Sequence, residues 1–383
     1  MRRVPLVLAA VAALAAASRA AAQDSVFGIR GLGFLDRSVS GRSAAVGDAL
    51  APFDPEAALN PAALAAWRST SGWAVGSGGN RTFDAGTGTS SLSATRFPVI
   101  GFAGVIGPRV VLGVTVSDFL DRNWSVQQTD TVSPRGTPVV ASDQTRSLGG
   151  VSDVRVAMAY KMSSVTFGVG LHVLTGSTVT TIDRQFPSDS SYAAYRQQQN
   201  TSYGGVGLSF GVLATPVAKV LAAASVRFSG RLKATTSDAS ATVPLPVELH
   251  LGTYYQPLTG VVIAATVGHA GWGTAADALQ AAGQEGSRDV WNAGFGVEAA
   301  LLRMGRSLVP LRLGYRWRQL PFPIPSAPGV TSPLSEHAVT GGFGFDTAGG
   351  RATVDLGLES GSRAAGGLTE RFTTLTVGLV IRP

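Results

Sequence analysis

The chain has 383 residues, contains no cysteine and carries few charges, because only 14% of its residues are Asp, Glu, Lys or Arg. The absence of cysteine excludes a disulfide framework. The formal net charge is +7, and it falls to +4 without Arg2, Arg3 and Arg19, which precede the mature chain predicted below. So small and scattered an excess excludes a nucleic-acid-binding surface.

Residues 1–22 have the pattern of a signal peptide. Arg2 and Arg3 precede an apolar segment at 4–17, and small residues at 20–22 offer a cleavage site. The apolar segment is too short for a spanning helix. We therefore predict an exported chain, with an uncleaved anchor as the alternative.

The segment "FDPEAALNPAALAAW" at residues 53–67 is rich in alanine and contains Pro55 and Pro61. This composition predicts a short, interrupted helical piece. No 20-residue apolar segment follows it in the mature chain, so no spanning helix is expected.

From about residue 70 onward, apolar residues alternate with small or polar ones, which indicates β-strands. Clear examples are "VRVAMAYKM" at 154–162, "VPLRLGYRWR" at 309–318 and "ATVDLGLE" at 352–359. One face is uninterrupted Val, Leu or aromatic, whereas the other is Gly, Ser, Thr or a charge. An apolar face toward lipid and a polar face toward a lumen fit this asymmetry better than a soluble sandwich does. The high glycine content, 48 residues, also disfavours helices.

The rhythm of the connections predicts an all-β transmembrane barrel of about 14 antiparallel, up-and-down strands. Links after the even-numbered strands are short, as in "IGPR" and "KMSS", and the intervening links are long and polar. An even number of strands places both the N-terminus and the C-terminus of the barrel chain on the short-turn, periplasmic side. The predicted strands lie near residues 71–79, 91–106, 108–118, 147–161, 164–175, 201–214, 218–230, 244–256, 259–270, 288–302, 308–318, 334–346, 350–360 and 368–382. A surface helix is expected at 273–286, in a long external loop.

Two sets of residues raise the question of catalysis. "GLSFG" at 207–211 matches the G-x-S-x-G motif of serine hydrolases, but Ser209 lies in a strand that continues, without the helix which that motif requires. His172 and His250 face the predicted lumen, and Glu248 shares the face of His250. A metal site or an acid–base pair needs a third convergent group, so we interpret them as polar lumen residues. We predict no enzyme, no cofactor and no metal.

A row of charges faces the predicted lumen and provides candidate site residues. These residues are Arg312, Arg316, Arg318, Asp355, Glu359 and Glu298. Buried charges need partners, which favours ion pairs among them or with the segment that precedes the first strand. The alternative is an arginine ladder that steers an anionic head group. Pro98 interrupts a strand and marks either a candidate kink in the wall or a tolerated proline near a strand end.

The segment before the first strand resembles the N-terminus of the FadL-type outer-membrane transporter superfamily, which includes the PorV-like proteins. The matching positions are Ser40, Arg42, Gly47, Ala49, Asp54, Ala57, Asn60, Pro61, Ala62 and Leu64. The resemblance implies a fourteen-stranded barrel, residues 68–383, with a helical or loop hatch, residues 23–67, folded inside it. A helical plug suits this place because it satisfies its own backbone hydrogen bonds. The family's "G-M-G-G-A" reads here as "AVGDA", and a lumen lined for fatty-acyl chains is not evident from 8% aromatic residues.

The expected function is passage of small hydrophobic or amphipathic molecules across the bacterial outer membrane. The expected partners are outer-membrane lipid and a hydrophobic small molecule, while no protein partner is identifiable. Asn60, Pro61, Ala62 and Asp54 are the candidate hatch and ligand-path residues. The alternative is a non-transporting, PorV-like barrel that is structural or binds a partner in secretion or surface attachment.

Overall fold

The computed structural model describes residues 25–37, 39–84, 89–133, 136–187, 191–304, 307–327 and 330–382. The predicted signal peptide, residues 1–22, lies outside this part of the chain. Within it, no helix has the length and hydropathy needed to cross a bilayer.

The described residues form mainly β-strands with a few short helices. The strands are β1 (Phe34–Leu35), β2 (Ser71–Asp84), β3 (Thr89–Ile106), β4 (Val110–Asp121), β5 (Trp124–Val132), β6 (Val139–Lys161), β7 (Val165–Gln185), β8 (Tyr195–Val217), β9 (Val220–Phe228), β10 (Arg231–Thr235), β11 (Ser240–Pro244), β12 (Val247–Leu258), β13 (Val261–Ala270), β14 (Val290–Met304), β15 (Ser307–Ala327), β16 (Val330–Thr347), β17 (Ala352–Ala365) and β18 (Leu368–Ile381). The α-helices are α1 (Gly41–Ala44) and α2 (Ala276–Ala281), and the 3₁₀ helices are Val26–Ile29, Ala51–Phe53, Pro61–Ala66, Trp272–Ala275 and Ala348–Gly350.

The strands form a closed antiparallel barrel of 14 wall strands, as predicted. Three wall strands are interrupted, so that β4 continues as β5, β9 as β10 and β11 as β12. The last strand, β18, pairs with β2 along its length and closes the wall. Closure leaves no exposed sheet edge around most of the circumference.

Side chains alternate between the outside and the inside of the wall, as the sequence pattern predicts. Outward residues form an apolar belt in which Leu313 is 70% exposed and Val339 is 63% exposed. Inward residues at alternate positions, such as Arg312 and Thr340, are buried. So much exposed apolar surface indicates contact with lipid rather than with water.

Two long links predicted as loops are largely strand. β6 and β8 have 23 residues each and β7 has 21, so all three extend well beyond the predicted strand ends. A continued ladder satisfies backbone groups outside a membrane as well as within it. An ion pair joins the extended parts of β6 and β7, where Arg184 Nη2 lies 2.5 Å from Asp143 Oδ2.

The helix expected on the surface at 273–286 is shorter and folds inward. It comprises the 3₁₀ turn Trp272–Ala275 and α2. Trp272 and Leu279 are buried in a cluster that includes Phe322 of β15. The apolar face of the helix therefore packs at the loop end of the barrel.

The chain before β2 lies inside the barrel and is called the hatch below. Glycines on the inward face of the wall allow it to approach closely. A Cβ on Gly314 of β15 would lie 2.2 Å from the backbone carbon of Val46, and one on Gly296 of β14 would lie 2.4 Å from the Val46 oxygen. The inward face, with its many glycines, is therefore a docking surface for the hatch as well as a polar lumen lining.

Candidate functional site

Asp54 organises the first half of the hatch. It is 2% exposed, and its Oδ2 accepts hydrogen bonds from the hydroxyls of Ser40 at 2.5 Å and Ser43 at 2.7 Å. Its Oδ1 accepts from the backbone N–H of Glu56 at 3.0 Å. One carboxylate thus joins the N-terminus of α1 to the turn before Asn60.

Asn60, Pro61 and Ala62 form a capped turn against the wall. The Asn60 side chain accepts from the Ala62 N–H at 3.0 Å and donates to the Pro52 carbonyl at 2.9 Å. This is an N-cap, and proline follows at the first helical position, where a missing N–H does no harm. A Cβ on Gly211 of β8 would lie only 1.9 Å from Asn60 Oδ1, so the wall is glycine where the turn docks.

Glu56 is an acid buried inside the hatch. It is 7% exposed, and its Oε2 has no hydrogen-bond partner among the described residues. Burial, with the nearby carboxylates of Asp54 and Asp355, raises the pKa of Glu56 well above its usual range. Its proton is therefore retained at pH values at which an exposed glutamate is ionised.

The charged lumen row predicted from the sequence pairs with itself and with the hatch. Arg312 lies 2.7 Å from Glu298 and 2.5 Å from Asp355, and Arg316 lies 2.5 Å from Glu359. Two further pairs join this row to the hatch, Arg42 to Glu298 at 2.6 Å and Arg37 to Glu359 at 2.6 Å. Within the hatch, Arg37 also lies 2.7 Å from Asp48.

Three wall residues of this network, Glu336, Arg363 and Glu370, were missed by sequence reasoning. Glu336 is fully buried and contacts Arg316, Arg318 and Arg363, the Arg318 contact being 2.8 Å. Arg363 also pairs with Glu370, which accepts a 2.8 Å hydrogen bond from Ser25 of the hatch. The alternation of the sequence places these residues on the inward face of the barrel, and this pattern was the signal by which they could have been found.

Pro98 lies where the wall becomes irregular. Phe97 and Pro98 of β3 together oppose the single residue Gly76 of β2, which is a β-bulge. The ladder between β3 and β4 begins at Val99 and runs to Ile106. Pro98 therefore stands where pairing between these two strands ends.

Beyond that point the wall is interrupted. Among the described residues, 89–98 of β3 have no ladder partner on β4. The edge of β4 pairs instead with the hatch strand β1, whose Phe34 and Leu35 lie opposite Asp121 and Leu120. The hatch thus closes part of the interruption, which we call the β3–β4 gap.

A salt bridge spans the same gap. Arg96 of β3 lies 2.9 Å from Asp36 of the hatch and is also paired with Asp121 of β4. Movement of the hatch away from the wall would break the first contact and the β1–β4 pairing together.

A cavity of about 200 Å³ lies in the lumen. Its apolar lining includes Leu35, Val39, Phe119, Trp272 and Leu320, and its polar lining includes Arg227, Glu248 and His250. Leu35 belongs both to this lining and to β1, so the cavity adjoins the β3–β4 gap.

A second polar cluster lies on the inward faces of β6 to β9. His172 Nδ1 lies 2.8 Å from Asp153 Oδ2, and its Nε2 lies 2.8 Å from Ser209 Oγ. Ser209 sits within β8, which continues to Val217, so the strand-turn-helix context of a hydrolase elbow is absent. His172 is thus a lumen residue, but its partners could not be read from the sequence.

No family model matches the chain, and no curated protein matches it. Solved structures share its fold. The monoaromatic hydrocarbon channel CymD matches with a TM-score of 0.57 and 14% identity, over 90% of this chain and 98% of that one. The toluene transporter TodX of Pseudomonas putida matches with a TM-score of 0.55 and 15% identity, over 91% and 98%.

A FadL homologue of Pseudomonas aeruginosa matches with a TM-score of 0.60 and 11% identity, over 91% of this chain and 99% of that one. These matches confirm, at the level of the fold, the resemblance to FadL-type barrels indicated by the N-terminal motif.

Proposed function

We propose that the chain is an outer-membrane barrel that passes small hydrophobic or amphipathic molecules. A molecule enters the lumen from the loop end, occupies the cavity beside the hatch and leaves sideways through the β3–β4 gap. In this mechanism the hatch strand β1 moves away from β4.

The observation that carries the proposal is the interrupted wall beside a cavity whose lining is partly apolar and partly charged. Ladder pairing between β3 and β4 stops at Val99, and the hatch covers the edge that remains. A sideways exit keeps an apolar molecule away from water, because it passes from the cavity into lipid.

The cavity also bears on the size of the molecule. Its volume is about 200 Å³, and an apolar cavity of about 150 Å³ is enough to hold benzene. Solved structures with this fold include channels for monoaromatic hydrocarbons and toluene. A molecule with roughly one aromatic ring is therefore the preferred candidate.

The hatch contacts favour movement at one end rather than ejection of the whole segment. Arg37 and Arg42 are held by Glu359 and Glu298 of the wall, whereas β1 makes only two residue pairs with β4. Displacing β1 breaks its pairing with β4 and the Arg96–Asp36 contact, and it leaves the ion pairs of Arg37 and Arg42 with the wall in place.

Uptake of a small fluorescent aromatic dye into liposomes tests the proposal. Liposomes with the mature chain should take up dye faster than protein-free liposomes, and a variant lacking residues 23–66 should take it up at least as fast. Heat-modifiable migration on a gel should first show that both barrels are folded. If neither folded form admits dye, transport is excluded and the partner-binding alternative is favoured.

A further inference from the structure

We propose that Asp153, His172 and Ser209 form an acyl-transfer site within the lumen, at which Ser209 attacks a small carboxylic ester. The three side chains are hydrogen-bonded in the order of a catalytic triad. Such triads recur on unrelated folds and are recognised by geometry rather than by sequence position.

The barrel brings these residues together along a diagonal of three neighbouring strands. Asp153 lies on β6, His172 on β7 and Ser209 on β8, and diagonal neighbours in an antiparallel sheet are about 7–8 Å apart. Glycines provide the space between them. Gly170 lies opposite Ser209, and a Cβ there would be 2.6 Å from Ser209 Oγ.

The hydrogen bonds prepare His172 as a base. The Asp153 carboxylate lies against Nδ1, which places the ring proton on that nitrogen. The lone pair of Nε2 then faces the Ser209 hydroxyl at 2.8 Å. This is the arrangement that activates a serine nucleophile.

Arg155 supplies an independent indication of a ligand. It is only 1% exposed, yet its Nε and Nη1 have no hydrogen-bond partner among the described residues. The position that a Cβ would take on Gly170 lies 3.4 Å from Arg155 Cδ and 3.5 Å from Arg155 Cγ, and Ser209 Oγ lies beside the same position. Arg155 Nη2 donates to Thr115 Oγ1 at 3.4 Å, but two buried N–H-bearing nitrogens without acceptors are unfavourable, and the oxygen of an ester would satisfy them.

Arg227 stands between the site and the cavity. It lines the cavity, and its Nη1 lies 3.0 Å from Asp153 Oδ2, while its Nε and Nη2 have no partner among the described residues. Arg227 therefore links the cavity to Asp153 of the site. Ser209 itself is buried and lies outside the cavity lining, so we expect only esters of short acids and small alcohols to reach it.

The reaction needs only water as co-reactant. Ser209 Oγ bonds to the ester carbonyl carbon as its proton passes to His172 Nε2, and Arg155 faces the resulting oxyanion. The carbon–alkoxy bond then breaks, and the alcohol leaves with the proton from His172. Water, deprotonated by His172, then attacks the acyl-serine; the bond from the carbonyl carbon to Ser209 Oγ breaks, the carboxylic acid leaves, and His172 returns the proton to Ser209 Oγ.

Covalent labelling of the mature chain in detergent with diisopropyl fluorophosphate, followed by mass spectrometry, tests the proposal. We expect one adduct, on Ser209. No Ser209 adduct on the folded wild-type barrel would overturn the proposal without recourse to any variant.

Hydrolysis of 4-nitrophenyl acetate provides the second readout. Ser209→Ala and His172→Gln should each lower kcat/KM at least about a hundredfold, as expected for loss of a nucleophile or a general base. The matched control is Ser225→Ala, which alters another buried, inward serine on the neighbouring strand β9 and should leave the rate unchanged. Equal rates in wild type and folded Ser209→Ala would overturn the proposal. Both readouts are independent of movement across a bilayer, so this proposal and transport can fail separately.

Discussion

The two sides of the lumen bury arginines in opposite ways. On the β14–β18 side, six arginines meet six carboxylates: Arg37, Arg42, Arg312, Arg316, Arg318 and Arg363 with Asp48, Glu298, Glu336, Asp355, Glu359 and Glu370. On the β6–β9 side, Asp153 alone contacts Arg227 and His172, and Arg155 has no carboxylate within salt-bridge distance among the described residues.

This difference indicates a structural role for the arginines of the β14–β18 side and a functional role for those of the β6–β9 side. On the β14–β18 side, called the balanced side below because it has as many carboxylates as arginines in this network, Arg37 and Arg42 of the hatch pair with wall carboxylates, so these ion pairs attach the hatch to the wall. Because each of these six arginines has a carboxylate partner, an arginine ladder for an anionic ligand is disfavoured there. The β6–β9 side retains unpaired donors, which are available to a ligand.

The largest expected effect is on the balanced side. Glu336→Gln should lower the free energy of unfolding by about 3–5 kcal/mol, because it removes a buried charge that contacts three arginines. Urea unfolding in detergent measures the change. Glu285→Gln, at an exposed position, is the control. A loss below about 1 kcal/mol would show that the network does not stabilise the barrel.

On the β6–β9 side, the hatch is held by close packing rather than by ion pairs. Gly211→Ala should displace the Asn60 turn at a cost of about 1–3 kcal/mol, because the new Cβ would overlap Asn60 Oδ1. Hydrogen exchange of residues 53–67 should become faster. Gly204→Ala, on the same strand with open space around it, should change nothing. Equal exchange in both variants would contradict this docking.

Arg155→Met tests directly whether the β6–β9 side of the lumen keeps unpaired donors for a ligand rather than for stability. We expect unchanged stability or a gain of up to about 1 kcal/mol, because the variant removes a buried charge with two unsatisfied nitrogens and only one long hydrogen bond, to Thr115. Hydrolysis of 4-nitrophenyl acetate should nevertheless fall, as in other trade-offs between stability and activity. A loss of stability like that of Glu336→Gln would show that Arg155 has a structural partner.

The smallest expected effect is a pH dependence within the hatch. Because the folded chain holds the Glu56 proton above the ordinary glutamate pKa, the unfolded chain releases it first as the pH rises. Stability should therefore fall with rising pH between the ordinary and the raised pKa, and be constant with respect to this group below that window. Glu56→Gln should flatten this part of the profile. An identical slope in the variant would exclude Glu56 as its source.

Much of the fold was predictable because the residue types along a wall strand alternate with the lipid and the lumen that its two faces contact. Alternation placed Arg312 and Asp355 on the inward face, and link lengths gave 14 strands. Hydrogen-bond partners were not predictable, because they depend on the relative register of neighbouring strands. The Ser209 motif illustrates this limit: its strand context was correctly predicted, but the His172 contact arises only from the diagonal across β6, β7 and β8.

The hatch shows the same division. Asn60 and Pro61 carry a local capping signal that the sequence displays, and their position against Gly211 follows from the tertiary structure. The glycines of the inward face were interpreted only as lumen lining. Their close contacts with Val46 and Asn60 show that many are required for docking.

A reversible disulfide between the hatch and the wall tests the transport mechanism most directly. Leu35 and Leu120 are directly opposed in the β1–β4 pairing, where Cα atoms about 4.5–5.5 Å apart suit a disulfide. The native chain has no cysteine, so Leu35→Cys with Leu120→Cys creates the only thiols. Ala352→Cys with Ile381→Cys, opposed on β17 and β18, is the matched control.

Dye uptake into liposomes is then compared before and after reduction. We predict that oxidised Leu35→Cys/Leu120→Cys admits dye no faster than protein-free liposomes and that reduction restores uptake, while the control pair transports in both states. Undiminished uptake by the oxidised hatch variant would contradict exit through the β3–β4 gap.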